Sequence, residues 1–358
     1  MHAPSRRIRY AVVGAGNIAQ AAVMPAFDHT DKNSSLVAVI SSDPDKRAAL
    51  VKRYKLELEG GYLEFESVLD RGRIDAVYIA TPTSLHKEFT LRAAALGVHV
   101  LCEKPLAPSV ADAREMEEAC KDRAVKLMVA YRLHFEEATL KALDIARSGE
   151  LGELRLFESF LSRDRSYYLR ADEGPGGSAA LELGVYCINA ARNLFGVEPY
   201  SVYAAALEVH GADDTTTAIL RFPGGPIAQF CVSNSVARVS SYRIAGSRGD
   251  LRLEPAYDFS EGLTHFLTIA GESKRTAFKK HAQFATEISY FSSCILDDLT
   301  PEPSAEEAIG DLRVVEAMFE SIRTGSSVEL PPYRRHRWPT LTEQRHDPPI
   351  VEPSLAER

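Results

Sequence analysis

The sequence predicts an α/β protein in which a doubly wound parallel sheet is followed by an α+β domain with a large, mostly antiparallel open sheet. Up to about residue 131, short apolar runs rich in β-branched residues alternate with helical segments of ten or more residues. Such alternation is typical of parallel strands that are covered on both faces. From about residue 154, longer strand-like runs follow one another with short turns, which indicates antiparallel pairing.

The first part of the chain reads as strands and helices in regular succession. Its strands are apolar throughout, so both of their faces should be buried. Asp43-Pro44 marks one helix start, and Gly97 ends a later helix. The predicted strands are residues 8–13, 36–40, 74–80, 98–102 and 126–131, and the predicted helices are residues 44–54, 84–96 and 110–122, after a first helix that begins near residue 19.

The second part is richer in strands and closes with helices. Its predicted strands are residues 153–161, 200–209, 215–222, 226–235, 240–246 and 250–254, and its predicted helices are residues 178–195, 283–299 and 304–324. A length of 358 residues suits two domains at about 150 residues each. We therefore divide the chain into residues 1–132, residues 133–330, and an extended tail of residues 331–358 that is rich in proline and arginine.

Composition excludes several classes of function. The net charge is −8 and the basic residues are scattered, which gives no footprint for nucleic acid or an anionic membrane. The five cysteines are odd in number and lack Cys-x-x-Cys spacing, so we expect free thiols and no metal site. The sequence lacks both a signal peptide pattern and an apolar run of about 18 residues. We expect a cytoplasmic protein whose partners are small molecules.

A glycine turn follows the first strand directly. Gly14 allows a tight turn, Gly16 allows the backbone to approach a pyrophosphate, and Ala19 is small enough for close helix–strand packing. Together with Asn17 and Ile18, these residues begin a helix. The N–H groups at its start point toward the position where a pyrophosphate would bind. A plain turn between a strand and a helix is the alternative explanation. The strand before and the helix after favour a dinucleotide site of the Rossmann type.

The end of the second strand bears on the choice of cofactor. NAD enzymes usually place an acidic residue there, whereas this chain has Ser41 and Ser42, followed by Lys46 and Arg47 within reach of a 2′-phosphate. This pattern favours NADP and makes residues 1–132 an NADP-binding domain. NAD stays possible, because Asp43 could take the ribose hydroxyls. Asp43 could equally be only the cap of its helix.

The fourth strand ends in Glu103-Lys104-Pro105. The carboxyl ends of parallel strands are where open sheets place the groups that contact a ligand, so Lys104 should point into the crevice and Glu103 should lie beside it. Pro105 stiffens the turn. A solvated surface lysine is an equally good explanation of the spacing alone.

Two further segments should face the same crevice. Thr81-Pro82 ends the third strand, and His86 follows in the first turn of the next helix. Arg132 ends the last strand of the first domain and could meet cofactor or substrate. Ser84 could instead be an N-cap, and Arg132 could belong to an interdomain ion pair.

Polar residues recur at helical spacing in residues 178–195. Glu182, Tyr186, Asn189 and Asn193 are spaced four, three and four residues apart, which predicts one polar stripe. A carboxylate, a phenol and an amide on one side can bind sugar hydroxyls and supply a proton-transfer group. An amphipathic helix with its polar side in water is the plainer alternative.

Together these motifs resemble the glucose–fructose oxidoreductase, inositol dehydrogenase and MocA (Gfo/Idh/MocA) family, and within it the glucose–fructose oxidoreductase branch. The resemblance rests on residues 14–19, 80–82, 102–105, 130–134 and 176–189. It implies catalytic roles for Lys104, Glu182 and Tyr186, with Lys104, Glu182, Tyr186 and Asn189 binding substrate. It also implies a homodimer or homotetramer formed through the open sheet. Glu182 departs from the aspartate that is usual in the family.

We therefore expect reversible hydride transfer between nicotinamide and a sugar or polyol, with Tyr186 as general acid and base and Lys104 assisting. The expected cofactor residues are Gly14, Gly16, Asn17, Ile18, Ser41, Ser42, Lys46, Thr81, Pro82, His86, Glu103, Lys104 and Arg132. Two other hypotheses stay open. One is a noncatalytic NADP-binding sensor or repressor on the same fold, and the other is a reductase of a non-sugar substrate such as a trans-dihydrodiol.

Overall fold

Both predicted sheets are present in the computed structural model, which describes residues 6–30, 32–164, 178–209 and 212–339. The first sheet is parallel and the second is mostly antiparallel, so the predicted fold class is confirmed. The proposed domain boundaries at residues 132 and 330 stay predictions.

Short parallel strands form the first sheet. They are β1 (Ile8–Val13), β2 (Ser34–Ile40), β3 (Leu58–Gly60), β4 (Ala76–Ile79), β5 (His99–Glu103) and β6 (Leu127–Ala130). Their order in the sheet is β3-β2-β1-β4-β5-β6. This is the Rossmann order, in which ligands bind at the carboxyl ends of the strands where the order reverses. The reversal here lies between β1 and β4.

Helices connect these strands and cover the sheet. A π-helical turn at Ala19–Val23 leads into α1 (Met24–Ala26), and the others are α2 (Pro44–Tyr54), α3 (Phe65–Gly72), α4 (His86–Ala95) and α5 (Val110–Asp122). The sequence did not predict β3 or α3. A strand of three residues is too short to show a period, and Gly60-Gly61 resembles a loop.

The second sheet is larger, with nine strands in the described part of the chain. Its strands are β7 (Leu154–Asp164), β8 (Ser201–Val209), β9 (Ala212–Arg221), β10 (Ile227–Ser233), β11 (Ser235–Gly246), β12 (Gly249–Leu253), β13 (Thr264–Ile269), β14 (Glu272–Ala277) and β15 (Val328–Glu329). They lie in the order β14-β13-β12-β11-β7-β10-β9-β8-β15. Strands β7 and β10 pair in parallel, whereas the other described neighbours are antiparallel. β13, β14 and β15 were not predicted.

One face of this sheet is covered and the other is open. Phe157 and Phe230 are buried in the core with helix residues. The alternate residues Phe160, Leu207 and Ile219 are 37%, 61% and 41% exposed. The helices are α6 (Glu137–Ser148), a π-helical turn at Ala180–Gly184 that continues as α7 (Val185–Phe195), α8 (Gln283–Leu296) and α9 (Ala305–Thr324).

Helix α8 packs on the first sheet, although it comes late in the chain. Phe284, Ile288 and Phe291 share a buried cluster with β1 residues. The hydroxyls of Tyr10 and Ser292 are hydrogen-bonded at 2.8 Å. The chain therefore returns to its first half at α8.

The described part of the tail lies against its own chain. The Arg335 side chain is fully buried, the Tyr333 hydroxyl donates to the Glu306 carbonyl at 2.8 Å, and Arg147 donates to the Pro339 carbonyl at 2.6 Å. Within the described ranges, no helix is long and apolar enough to cross a membrane, and no cluster of ligating side chains could hold a metal ion.

Candidate active site

A deep cleft opens where the carboxyl ends of the first sheet meet α7 and the second sheet. Its empty volume is about 1480 Å³, including the open mouth. This is the place that the Rossmann strand order predicts for a ligand. The lining includes Asn17, Ile18, Thr81, Pro82, His86, Glu103, Lys104, Arg132, Arg163, Glu182, Tyr186, Arg238, Tyr257, Asp258 and Phe259.

The glycine turn after β1 is shaped by the neighbouring strand. Gly14 has a φ of +101°, and a Cβ there would lie 2.4 Å from the Ala80 carbonyl oxygen. Gly14 must therefore be glycine for the turn to pass β4. At Gly16, by contrast, no described atom outside Gly16 and its two chain neighbours lies within 4 Å of the position that a Cβ would take. The backbone of Gly16 is open to the side from which a pyrophosphate would approach.

The end of β2 carries neutral and basic groups. Ser41 is buried, and its hydroxyl accepts a hydrogen bond from the Asp43 N–H at 3.3 Å. Asp43 caps α2, because its carboxylate accepts from the Lys46 N–H at 3.0 Å and pairs with the Lys46 ammonium at 3.1 Å. Arg47 donates to the Ser41 carbonyl at 2.5 Å and to Glu59 at 3.0 Å. These residues are not among those that line the cleft.

The floor of the cleft is held together by His86. Its ring is buried, with Nε2 3.0 Å from the Thr81 carbonyl oxygen and Nδ1 3.0 Å from the Pro105 carbonyl oxygen. Burial lowers the pKa of His86. His86 lines the cleft as predicted, but both of its nitrogens face the protein. The Thr81 hydroxyl, which is buried at the same floor, has no hydrogen-bond partner among the described residues.

Glu103 lies at the same floor and is linked to a buried phenol. The Tyr78 hydroxyl donates to Glu103 Oε1 at 2.9 Å, and the Lys104 N–H donates to Glu103 Oε2 at 3.2 Å. Burial raises the pKa of Glu103, although Lys104 opposes that effect.

Lys104 and Tyr186 meet in the cleft. The Lys104 ammonium lies 4.3 Å from the centroid of the Tyr186 ring and donates to the Glu182 carbonyl at 3.1 Å. Burial lowers the pKa of Lys104. Burial alone would raise the pKa of Tyr186, but Arg132 and Lys104 outweigh it, so the pKa of this phenol lies below its ordinary value.

Arg132 also faces Tyr186. Its Nη2 lies 3.5 Å from the Tyr186 hydroxyl and donates to the Tyr257 carbonyl at 2.6 Å, and its Nη1 donates to Gln283 Oε1 at 2.6 Å. Arg132 thus lines the cleft as predicted, while its guanidinium is turned toward the phenol.

Glu182 lines the cleft one helical turn before Tyr186 and forms an ion pair with Arg163 of β7. Arg163 also donates to Asn234 at 2.9 Å. Five lining residues were not predicted from the sequence, and they come from β7, β11 and the loop before β13: Arg163, Arg238, Tyr257, Asp258 and Phe259. These residues belong to no motif, so no local signal could have identified them.

The residues of the predicted polar stripe have different neighbours, and the substrate-binding role of Asn189 stays a prediction. Asn189 is 8% exposed and does not line the cleft. Its Nδ2 donates to Glu307 at 2.7 Å and to Asp311 at 3.0 Å, and its Oδ1 faces His134 Nε2 at 3.1 Å. The buried carboxylates of α9 require donors, so they draw this side of α7 inward. Gly176 and Gly177, which begin the motif, lie outside the described residues.

Comparisons with known proteins agree with this architecture. The model of an oxidoreductase family with an NAD-binding Rossmann fold, named GFO_IDH_MocA, matches residues 8–131, and the model of the GFO/IDH/MocA C-terminal domain matches residues 139–252. The chain is 29% identical to D-xylose 1-dehydrogenase [NADP(+)] from Haloarcula marismortui over 336 residues, which cover 90% of this chain and 93% of that one.

Two further relatives are named for other substrates. Trans-1,2-dihydrobenzene-1,2-diol dehydrogenase of Mus musculus is 26% identical, over 92% of this chain and 99% of that one. The crystal structure of aldose-aldose oxidoreductase from Caulobacter crescentus complexed with glycerol superposes with a TM-score of 0.85 and 31% identity, over 91% of this chain and 100% of that one.

Proposed function

Because this chain belongs to the Gfo/Idh/MocA oxidoreductase family, we propose that it transfers a hydride between NADP and a sugar or polyol, with Tyr186 exchanging the proton. The expectations of an oxidoreductase and of NADP as its cofactor are confirmed by the relatives, which include xylose dehydrogenases that use NADP(+). The observation that carries the proposal for Tyr186 is its place in the cleft, where its phenol lies between the cations of Lys104 and Arg132.

The proton chemistry follows from the charge around Tyr186. An isolated tyrosine has a pKa of about 10 and is a weak base at neutral pH. Because the nearby cations lower the pKa of Tyr186, a larger fraction of the phenol is ionised. In the oxidative direction the phenolate takes the proton of the substrate hydroxyl, the C–H bond releases its hydride, and a carbonyl forms. Reduction follows the reverse course.

NADP supplies the hydride acceptor or donor when it is bound, and the residues at hand fit its phosphates. The open backbone at Gly16, together with Gly14, Asn17 and Ile18, would hold the pyrophosphate at the start of the helix. The unpartnered Thr81 hydroxyl, with Pro82, Glu103 and the His86-supported floor, would contact the nicotinamide end.

The 2′-phosphate would lie at the end of β2. Ser41, Ser42 and Lys46 are the predicted contacts, and Arg47 is fixed beside them by the Ser41 carbonyl. Asp43 is engaged as the cap of α2, which leaves it less suited to the ribose hydroxyls of NAD. We therefore favour NADP over NAD for this chain.

Lys104 and Glu182 would orient the substrate. The Lys104 ammonium can donate to a substrate hydroxyl, and the Glu182 carboxylate can accept from one, with Arg163 holding that carboxylate in place. Such groups suit an aldose, ketose, lactone or related polyol, in keeping with the glucose–fructose oxidoreductase branch.

We extend the proposal to a cytoplasmic homodimer or homotetramer. The open face of the second sheet exposes apolar side chains in neighbouring strands, among them Phe160 of β7, Leu207 of β8 and Ile219 of β9. An apolar patch on a sheet face is typical of an interface between subunits.

A substrate screen tests the proposal. Purified protein is assayed for the absorbance of NADPH at neutral pH with aldoses, polyols and trans-1,2-dihydrobenzene-1,2-diol in turn. We expect turnover with at least one sugar or polyol, and Tyr186→Phe should lower kcat about 100- to 10,000-fold with little change in NADP affinity. Tyr257→Phe is the matched control, because the Tyr257 hydroxyl is bonded to Ser159 at 2.7 Å. Turnover of the diol alone would favour the non-sugar hypothesis, and binding without any turnover would favour the sensor.

A further inference from the structure

We infer that Arg132 is a further catalytic residue, whose guanidinium stabilises the charged oxygen of Tyr186, while Lys104 acts from the face of the ring. The inference rests on the proposed role of Tyr186 as general acid and base. It assigns to Arg132 a function at the reacting phenol rather than at the cofactor.

The position of the guanidinium supports this role. Arg132 is 6% exposed, and its Nη2 lies 3.5 Å from the Tyr186 oxygen. The guanidinium carbon is 5.5 Å from the centroid of the Tyr186 ring and 5.3 Å from that of Phe259. An ionised phenol would draw the donor closer, because charge-assisted hydrogen bonds are shorter, at about 2.7–2.9 Å.

Lys104 approaches the same residue differently. Its ammonium lies over the Tyr186 ring, 4.3 Å from the centroid, and donates to the Glu182 carbonyl. In the described part of the chain no hydrogen bond joins Lys104 to the Tyr186 oxygen. Lys104 is therefore placed to bind a substrate hydroxyl, whereas Arg132 is placed to hold the phenolate.

The charge of Arg132 is held by neutral partners. Its strong hydrogen bonds go to an amide oxygen of Gln283 and to the Tyr257 carbonyl, each at 2.6 Å. Among the described residues it forms no ion pair with a carboxylate, although its charge also acts on Glu103, Glu136 and Glu287. A buried cation without a carboxylate partner is costly and calls for an anion nearby. The Tyr186 phenolate is an anion of the required kind.

Gln283 is a positioning residue for this arrangement. Its Nε2 donates to Glu136 Oε2 at 2.6 Å, which fixes the amide so that Oε1 faces Arg132. Gln283 begins α8, the helix that packs on the first sheet. The late segment of the chain thus aims Arg132 at the catalytic phenol.

Several charged or titratable groups face Tyr186 from the elements around it. They are Lys104 and Glu103 at the end of β5, Arg132 after β6, Tyr257 before β13, and Glu182 one turn earlier in its own helix, where it is paired with Arg163. Glu103 opposes ionisation, and Arg132 and Lys104 favour it. The Tyr257 phenol is itself kept neutral by burial, which raises its pKa.

Titration of the phenol in the cofactor-free protein tests the inference. Absorbance at 295 nm follows tyrosinate, and the difference between a protein and its Tyr186→Phe counterpart isolates Tyr186. We expect Arg132→Met to raise the pKa of Tyr186 by about one unit, which is a tenfold loss of phenolate near neutral pH. Lys104→Met should raise this pKa by less. In Arg132→Lys the pKa of Tyr186 should rise less than in Arg132→Met. In Gln283→Leu this pKa should lie between its values in the wild type and in Arg132→Met.

Arg238→Met is the matched control, because Arg238 lines the same cleft but is paired with Asp258. Arg238→Met should leave the pKa of Tyr186 unchanged. The inference would be overturned if Arg132→Met left the pKa of Tyr186 unchanged, or if Lys104→Met raised this pKa by more than Arg132→Met does. Far-UV circular dichroism checks folding, and if Arg132→Met does not fold, the titrations of Arg132→Lys and Gln283→Leu decide. The titration needs no turnover, so a protein that oxidises no sugar would contradict the proposed function without affecting this result.

Discussion

Replacing Arg335 with methionine should destabilise the protein by about 3 kcal/mol, because Glu307 then stays buried without its nearest cation. Both side chains are fully buried and form an ion pair. Arg335 also lies 3.2 Å from Glu302 and donates to Asn193 Oδ1 at 3.0 Å. Methionine keeps the apolar stem of the arginine, so the change tests the charge rather than the packing.

The magnitude follows from the partners that remain. Removing one member of a buried ion pair costs about 3–5 kcal/mol. Glu307 still accepts hydrogen bonds from Asn189 at 2.7 Å and from Asn193 at 2.8 Å. These amides solvate part of the carboxylate, which places the expected loss at the lower end of that range.

The loss should depend on pH. Burial alone would raise the pKa of Glu307, but Arg335 and the neighbouring cations outweigh burial and hold it well below its usual range. A carboxyl with a lowered pKa in the folded state stabilises the protein above the pKa of the unfolded chain, about 4.3, and loses that contribution as the pH falls. The deficit of Arg335→Met should therefore be largest near neutral pH and shrink below about pH 4.

Urea unfolding followed by circular dichroism measures the free energies. Arg335→Met, Glu307→Gln and the double variant form a cycle whose coupling energy should exceed about 1 kcal/mol. Arg334→Met is the matched control, because Arg334 is exposed in the same segment, and it should change stability by less than about 0.5 kcal/mol. A loss below 1 kcal/mol for Arg335→Met, or the absence of coupling to Glu307, would refute the reasoning.

Three further outcomes are expected. Gly14→Ala should weaken NADP binding and lower thermal stability, since its Cβ would meet the Ala80 carbonyl at 2.4 Å; an unchanged melting temperature would contradict this. Arg47→Ala should lower the preference for NADP over NAD about tenfold or more in direct binding titrations, and equal loss for both cofactors would argue against a 2′-phosphate contact. Ile219→Glu should dissociate the proposed oligomer in light scattering while leaving the titration of Tyr186 unaltered, and an unchanged mass would exclude this sheet face as the interface.

Local patterns predicted much of the fold correctly. Five of the strands in the first sheet follow from apolar runs, and the Gly14 turn follows from a strand that meets a helix. Elements without a strong period were missed, such as β3 and the β13–β14 hairpin. Their pairing is set by neighbouring strands, so little of it is encoded in their own residues.

Some residues of the site were predicted and others were missed, for a similar reason. Lys104 and Tyr186 lie in motifs and meet in the cleft. Asn189 shares the helical spacing of Tyr186, yet it serves the carboxylates of α9. Helical spacing fixes the direction of a side chain around the helix axis, but it does not say which element packs against that side of the helix. Arg163 of β7 and Tyr257 of the loop before β13 reach the cleft from the second half of the chain, and no local motif marks either residue.

The sequence by itself determined most of the strands and helices, the glycine turn and the pair of residues proposed for catalysis, because each depends on residues close together in the chain. The tertiary structure decided the charge environment of that pair. Arg132 faces the Tyr186 oxygen because Gln283, 151 residues later, and the Tyr257 carbonyl hold its guanidinium there. Contacts over such separations arise only when later parts of the chain fold back onto the first half, and no local period encodes them.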